Sequence, residues 1–282
     1  MGGVIFEGGT FRPIFSCGIM DCLNDHDIMF PYVIGVSAGI TDAFSYVSHQ
    51  PKRNLNILLE NRNNPDYISK RNMLKGEHSL FGLKYAFETI PNELYPFDYE
   101  TFNKSQTKIL VGVTNCKTGK IEYLDGHTND RRNQMIKATC AIPILFPPID
   151  VNGQLYYDGG LCDPIPVRKA LKDSNKKVLI VLTRPKGYVK TLTKSNRMAA
   201  RLIKKKFPNL VEPLLTRHEA YNETVKYCEA LEANGQALII RPDADLIVES
   251  MEKDLDKIKA CYQHGYDLAE KHLAEIIEIV NS

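Results

Sequence analysis

The stretch VIFEGGTFRPIFSCGIMDCLNDHDIMFPYVIGVSAG, residues 4–39, decides the fold. Val4 to Phe6 is an apolar run of strand length, and the glycine turn Glu7-Gly8-Gly9-Thr10 follows it. Ile14, Phe15, Ile19, Met20 and Leu23 then recur at helical spacing up to Asn24. Tyr32 to Val36 is a second apolar run, and Ala38 to Val47 predicts the next helix. Strand, turn, helix, strand is the rhythm of a parallel βαβ unit, since parallel strands must be joined by a crossover segment.

Outward from this unit, residues 51–103 are polar and broken by Pro65, Pro91 and Pro96, which predicts an insertion of short helices and loops. Alternation returns over Lys108 to Val113 and Ile121 to Leu124, joined through Asn115-Cys116-Lys117-Thr118-Gly119 as closely paired strands. A helix is expected from about Asp130 to Ala138. The apolar run Cys140 to Pro148 holds Pro143, Pro147 and Pro148, so it predicts an irregular pocket wall, not a helix or central strand. Gln154 to Tyr157 reads as a strand, Pro166 to Lys172 as a helix, and Lys177 to Leu182 as a buried strand. Ala237 to Ile240 adds a late strand, and Met251 to Val280 a long helical tract without proline.

With 282 residues, 43% hydrophobic and 25% charged, the composition is that of an ordinary globular protein, which excludes disorder and fibrous repeats. A net charge of +2 points to no partner. Seven cysteines lie at neither zinc nor redox spacing, so reduced thiols and a cytoplasmic location are expected. The start Met1-Gly2-Gly3-Val4 carries no signal-peptide or myristoylation pattern, and no apolar run approaches a membrane span. Any membrane contact is therefore expected to be peripheral. No metal or organic cofactor is called for.

Gly35-Val36-Ser37-Ala38-Gly39 falls where a strand hands over to a helix. In a G-x-S-x-G elbow the serine occupies a sharp, strained turn that flanking glycines make room for. The bare pattern is also what a close strand–helix turn uses. A serine nucleophile needs a base. An α/β-hydrolase order of Ser37, Asp158 and then His218, His264 or His272 is available, but only one strand and one helix precede Ser37, too few for that architecture. The late histidines also lie on segments that read as solvated helix faces.

Glu7-Gly8-Gly9-Thr10-Phe11-Arg12-Pro13 leaves a strand and opens onto a helix, so it presents bare N–H groups suited to a phosphate or an oxyanion. The Rossmann spacing fails, because the third glycine would fall on Pro13 or Phe11, and no P-loop Gly-Lys-Ser/Thr is present. Asp158-Gly159-Gly160 follows a strand; its plainer reading is a β-turn.

Taken together and in this order, the three motifs resemble those of the patatin-like phospholipase family: a D-G-G-G-x-R-G loop, a G-x-S-x-G elbow and a distant D-G-G. The similarity runs from Val4 to about Ala170. It implies a three-layer α/β/α sandwich with a mainly parallel central sheet, in one domain over 1–282 with its core at about 3–183. The segment 51–103 would be a helical insertion and 184–282 a helical C-terminal extension. It also implies a Ser37–Asp158 dyad without a catalytic histidine, an oxyanion hole from Gly8, Gly9 and Thr10, and Arg12, Gly35, Gly39, Gly159 and Gly160 as supporting residues. Acyl-lipid esters are the implied substrates.

Two positions depart from the pattern: Thr10 and Pro13 replace glycines. A β-branched residue held at positive φ is strained by about 1–3 kcal/mol, and losing one oxyanion donor costs about 100-fold to 1000-fold in rate. A weakly active or inactive lipid- or protein-binding member is therefore one alternative, and acyl transfer to an alcohol by the same dyad is another. Arg12 is read as steadying the loop, meeting a lipid phosphate, or simply lying at a helix start. Arg184 to Lys206 is basic with interleaved Leu192, Met198, Leu202 and Ile203; it reads as a solvated face or as an amphipathic contact with anionic membrane. Nucleic acid is not expected, since no stacking pattern accompanies the charge.

Overall fold

The structure, a computed structural model, describes residues 2–74, 76 and 78–282. It begins with β1 (Gly3–Phe6), α1 (Ile14–Asp25), β2 (Tyr32–Val36) and α2 (Ser37–Val47). The insertion contributes α3 (Arg53–Asn61), α4 (Lys70–Leu74), a π-helix at Tyr85–Leu94 and α5 (Tyr99–Lys104). Next come β3 (Lys108–Asn115), β4 (Ile121–Asp125), α6 (Gln134–Cys140), β5 (Ile149–Val151), β6 (Gln154–Asp158), α7 (Val167–Lys172) and β7 (Val178–Val181). Last are α8 (Lys194–Ile203), α9 (Val211–Ala233), β8 (Ala237–Ile240), α10 (Leu255–Lys271) and α11 (Leu273–Val280).

The eight strands form one sheet in the order β5-β6-β3-β2-β1-β7-β8, with β4 also paired to β3. β3, β2, β1, β7 and β8 run parallel, whereas β4, β5 and β6 pair antiparallel. Alternation along each strand sends side chains to opposite faces. Val4, Phe6, Val33, Leu179 and Val181 join a core with α1, α2, α6 and α10, and Ile5, Ile34, Val178 and Ile180 join one with α7 and α9. Both faces of the sheet are therefore covered, which is why the parallel strands read as unbroken apolar runs. The expected three-layer α/β architecture is what the chain adopts.

Boundaries differ from expectation in three places. The helix after β2 starts at Ser37 itself. The helix expected from Asp130 starts at Gln134, because Asn133 is left-handed at φ 54° and its N–H closes a turn on Asp130 O at 2.9 Å. The tract Met251–Val280 is two helices: Asp254 caps α10 by accepting the N–H groups of Asp256 and Lys257, and His272 leaves helical geometry at ψ 15°. In the insertion, Pro91 has no N–H to donate and sits inside the wider π turn. All seven cysteines are unpaired.

The C-terminal residues are packed into this framework. β8 extends the sheet, and α10 crosses α1 at very short range: a Cβ on Gly18 would lie 2.0 Å from Tyr262 O, and one on Gly265 2.0 Å from Phe15 O. Two helices touching backbone to backbone leave no room for a methyl group. Gly265→Ala should therefore lower stability by about 1–3 kcal/mol, read as a lower denaturant midpoint in chemical unfolding; an unchanged midpoint would refute this contact.

Candidate functional site

β2 ends extended at Val36 (φ −138°, ψ 154°), and Ser37 turns the chain at φ 55° as the first residue of α2. A non-glycine residue at positive φ costs about 1–3 kcal/mol. Its backbone is held there by Thr139, whose hydroxyl accepts the Ser37 N–H at 2.8 Å and donates to Gly112 O at 2.7 Å. Because β1 and β2 are parallel neighbours with Phe6 opposite Gly35, the loops that leave them lie side by side. A Cβ on Gly39 would sit 2.3 Å from Glu7 O, and one on Gly8 2.6 Å from Ser37 Cβ. Glycine is required at both positions for the glycine loop to lie against the serine.

Asp158 closes β6 and is brought to Ser37 from across the sheet. β6 pairs antiparallel with β3, which places Asp158 opposite Val113. Its peptide is gripped on both sides: its N–H donates to Ala141 O at 2.9 Å, and its O accepts the Thr114 hydroxyl at 2.8 Å. Oδ1 accepts the Gly160 N–H at 2.7 Å. Gly159 packs against Gly112, where a Cβ would come within 2.3 Å of Gly112 O. Asp158 is buried. That burial raises its pKa above the ordinary carboxylate range, against the opposing pull of the Ser37 hydroxyl, the Gly160 N–H and the Arg217 charge.

The loop between β1 and α1 has the strained position that the sequence foresaw: Thr10 sits at φ 61°. No acceptor among the described residues takes the N–H groups of Gly8, Gly9 or Thr10, whereas the Phe11 N–H is used by Ser250 O at 3.3 Å. Pro13 precedes α1 at φ −61° and ψ −2°, so the ring fits a helix start. Phe11 is wedged under the Arg62 guanidinium, 4.7 Å from its ring, and Arg62 Nη2 donates to Met251 O at 2.6 Å. The insertion and the 250–252 segment thereby clamp the loop from outside.

Thr10, Ser37 and Ala38 form part of the wall of an apolar pocket of about 190 Å³. Its depth is built from the insertion, with Ile57, Phe81 and Ile90, and from the proline-bearing wall, with Ile142, Leu145 and Phe146. Phe81 stacks on Phe146 with ring centroids 5.4 Å apart, joining the two halves. Asp42, on the same helix as Ser37, faces this pocket. Burial pushes its pKa up to about 7; a hydrogen bond with Cys17 opposes the shift and nearby Asp21 adds to it.

Several neighbours were not legible in the sequence. Arg217 of α9 donates to Gly160 O at 3.2 Å. Glu7 is buried and accepts the Thr183 N–H at 2.7 Å, and Thr183 donates to Gly8 O at 3.1 Å, so the end of β7 props the glycine loop. Only a register linking distant segments could have revealed them. The histidines lie elsewhere: His264 accepts the Asp243 N–H at 3.1 Å, His272 pairs with Glu275 at 2.8 Å, and His218 lies 3.6 Å from Glu219. None of these partners is Ser37 or Asp158. At the far end of α1, the side-chain ligand atoms of Cys22, His26 and Glu270 lie within 4.8 Å of one another, away from the serine.

A family profile described as patatin-like phospholipase matches residues 4–171, and a second, described as a domain of unknown function (DUF6363), matches residues 207–281. Among curated proteins, the chain is 23% identical to the uncharacterized protein YjjU of Escherichia coli over 80% of its length and 64% of that protein's. It is 25% identical to the probable lipid hydrolase 463L of invertebrate iridescent virus 6, over 62% of this chain and 64% of that one. The lysophospholipase NTE1 of Scheffersomyces stipitis is 27% identical over 95% of this chain, which spans only 18% of that protein. The chain thus covers less than two thirds of the length of each. The crystal structure of VipD from Legionella pneumophila aligns at a TM-score of 0.49 with 14% identity, covering 97% of this chain and 67% of that one.

Asp42 gives a test of how dry the pocket is. A carboxyl whose folded pKa is raised to about 7 favours folding in its neutral form. That contribution is complete below the unfolded pKa of about 4 and is lost as pH rises towards 7. Asp42→Asn should therefore unfold at higher temperature than the wild type at pH 8 and show no such gain at pH 4. An equal difference at both pH values would show that the carboxyl is hydrated.

Proposed function

Because the chain belongs to the patatin-like phospholipase family, we propose that it is a serine-dependent lipid acyl hydrolase working through Ser37 and Asp158. One observation carries this reading: a serine forced to positive φ at a helix start, against a glycine loop with unused N–H groups and beside a buried aspartate. The names of the lipid hydrolase and lysophospholipase relatives support the same substrate class.

In this mechanism Ser37 Oγ attacks the ester carbonyl while Asp158 takes its proton. The bond between carbonyl carbon and alcohol oxygen then breaks, and the proton passes to the leaving alcohol. Water, deprotonated by Asp158, attacks the acyl-enzyme, and the fatty acid leaves as Ser37 recovers its proton. The N–H groups of the Gly8-Gly9-Thr10 loop stabilise the oxyanion in both steps, as preorganised donors do. The raised pKa of Asp158 suits a base working near neutrality. The apolar pocket holds the acyl chain, and its wall from the insertion sets how much chain fits.

The proposal includes a single domain over residues 1–282, supported by β8 in the sheet and α10 on α1. It also includes a peripheral membrane contact through α8, where Met198 and Leu202 are exposed beside Arg201. Among the described residues no helix is long and apolar enough to cross a membrane.

Ser37→Ala should abolish labelling by a fluorophosphonate probe and lower ester hydrolysis by about a thousandfold or more; labelling that persists would refute the nucleophile. Asp158→Asn should cost at least about a hundredfold, whereas His264→Ala and His272→Ala should leave turnover close to wild type. Because the base must be ionised, the wild-type rate should fall as pH drops through the raised pKa of Asp158. A rate still flat at pH 4 would argue for a different base. A folded wild type that takes no label would favour the lipid-binding alternative and direct attention to Thr10.

A further inference from the structure

The apolar pocket flanks one side of Ser37, and positive charge gathers on the other. Arg12 of the glycine loop lies at Gly9 and Arg217 of α9 at Gly160, while Arg184 and Lys190, from the segment after β7, sit on the touching rings of Tyr188 and Tyr221, within reach of the same field. Arg12 Nε and Nη2 lie 2.9 Å from where a Cβ on Gly9 would be, and Arg217 Nη2 donates to Gly160 O. None of the four lines the apolar pocket. Among the described residues none of them forms an ion pair within 4.0 Å. The Nε atoms of both Arg12 and Arg217 are buried with no acceptor.

The carboxyls facing them do not balance this charge. Glu7 supplies one negative charge, which favours the charged forms of Arg12 and Lys190, and burial of Asp158 favours its neutral form, so four cations face at most two carboxylates. Lys190 is pushed down to about 8 by burial, with Arg217, Arg12 and Arg184 repelling its proton further while Glu7 opposes. Partly buried cations whose buried Nε atoms have no acceptor are costly, and an anion is what would relieve them. The aromatic rings nearby are already taken by the protein's own cations. Lys190 Nζ lies 4.4 Å from the Tyr221 ring centre and Arg184 4.4 Å from that of Tyr188, so a face of each ring is already used and the surplus positive charge disfavours a quaternary ammonium. Guanidinium groups suit phosphate oxygens, which they can bind in pairs.

We propose that Arg12, Arg184, Lys190 and Arg217 form an anion pocket for the phosphate of a lipid head group, selecting acyl lipids with a net-negative phosphomonoester over choline-bearing or uncharged ones. This selectivity rests on the reading of Ser37 as nucleophile. Arg184, Lys190 and Arg217 lie outside the patatin-like match at residues 4–171, so three of the four cations come from the C-terminal part of the chain.

The test compares the whole chain on three esters with one oleoyl chain: lysophosphatidic acid, lysophosphatidylcholine and monooleoylglycerol. The expected kcat/KM for lysophosphatidic acid is roughly tenfold or more above the other two. Lys190→Gln and Arg184→Gln should each erode that preference through KM. Equal rates on all three esters, or a preference untouched by both substitutions, would overturn the selectivity. A second measurement does not need turnover: Ser37→Ala is titrated by calorimetry with lysophosphatidic acid, glycerol 3-phosphate and inorganic phosphate, with and without Lys190→Gln. Binding of lysophosphatidic acid that Lys190→Gln weakens supports the pocket even if no ester is cleaved, in which case only the hydrolase reading fails. Inorganic phosphate binding as tightly as the lipid would overturn the head-group assignment in favour of a free-phosphate site, and no binding of any of the three would overturn the pocket.

Discussion

The closeness of two loops is the constraint on which the rest depends. β1 and β2 are parallel neighbours, and the turns leaving them pack so tightly that Gly39 and Gly8 admit no side chain. The glycine loop can present its N–H groups beside the serine only because that contact is made. Thr139, Gly112 and Gly159 extend the same logic towards β3 and β6: small residues let backbone approach backbone, and one hydroxyl fixes the elbow. Strain accompanies this packing, since the backbone at both Ser37 and Thr10 is held at positive φ.

Burial then decides the electrostatics. Asp158 and Asp42 sit in the same region, both raised in pKa by desolvation, but in different company. Asp158 meets the Ser37 hydroxyl, the Gly160 N–H and the charges of Arg217 and Lys190, while Asp42 looks into an apolar pocket. One arrangement is suited to a base beside a developing charge. The other places a titrating group along the path proposed for an acyl chain.

The C-terminal half does more than cover the sheet. Arg217 reaches the carbonyl of Gly160, Lys190 is fastened to α9 by the Asn222 side chain, and the 250–252 segment holds Phe11 and Arg62 in place. The basic stretch from Arg184 is therefore divided in use. Its first part turns inward beside the glycine loop, and its later part forms α8, with Ala199 and Ala200 buried and the charges outside.

By itself the sequence determined the βαβ start, the position of the elbow, the α/β class and the irregular wall around Pro143, because each follows from local periodicity, glycine or proline. Strain at Thr10 was expected only through the resemblance to the family pattern, in which a glycine stands at that position. What only tertiary structure decided is how distant segments meet: the antiparallel β3–β6 register that brings Asp158 to Ser37, the Gly18–Gly265 helix crossing, and the gathering of Arg12, Arg184, Lys190 and Arg217. A long polar helix such as α9, or a lysine in a basic run, reads as solvated on its own. The burial of such polar residues and the charges they meet are properties of the packed sheet and its covering helices, and no local pattern in the chain encodes them.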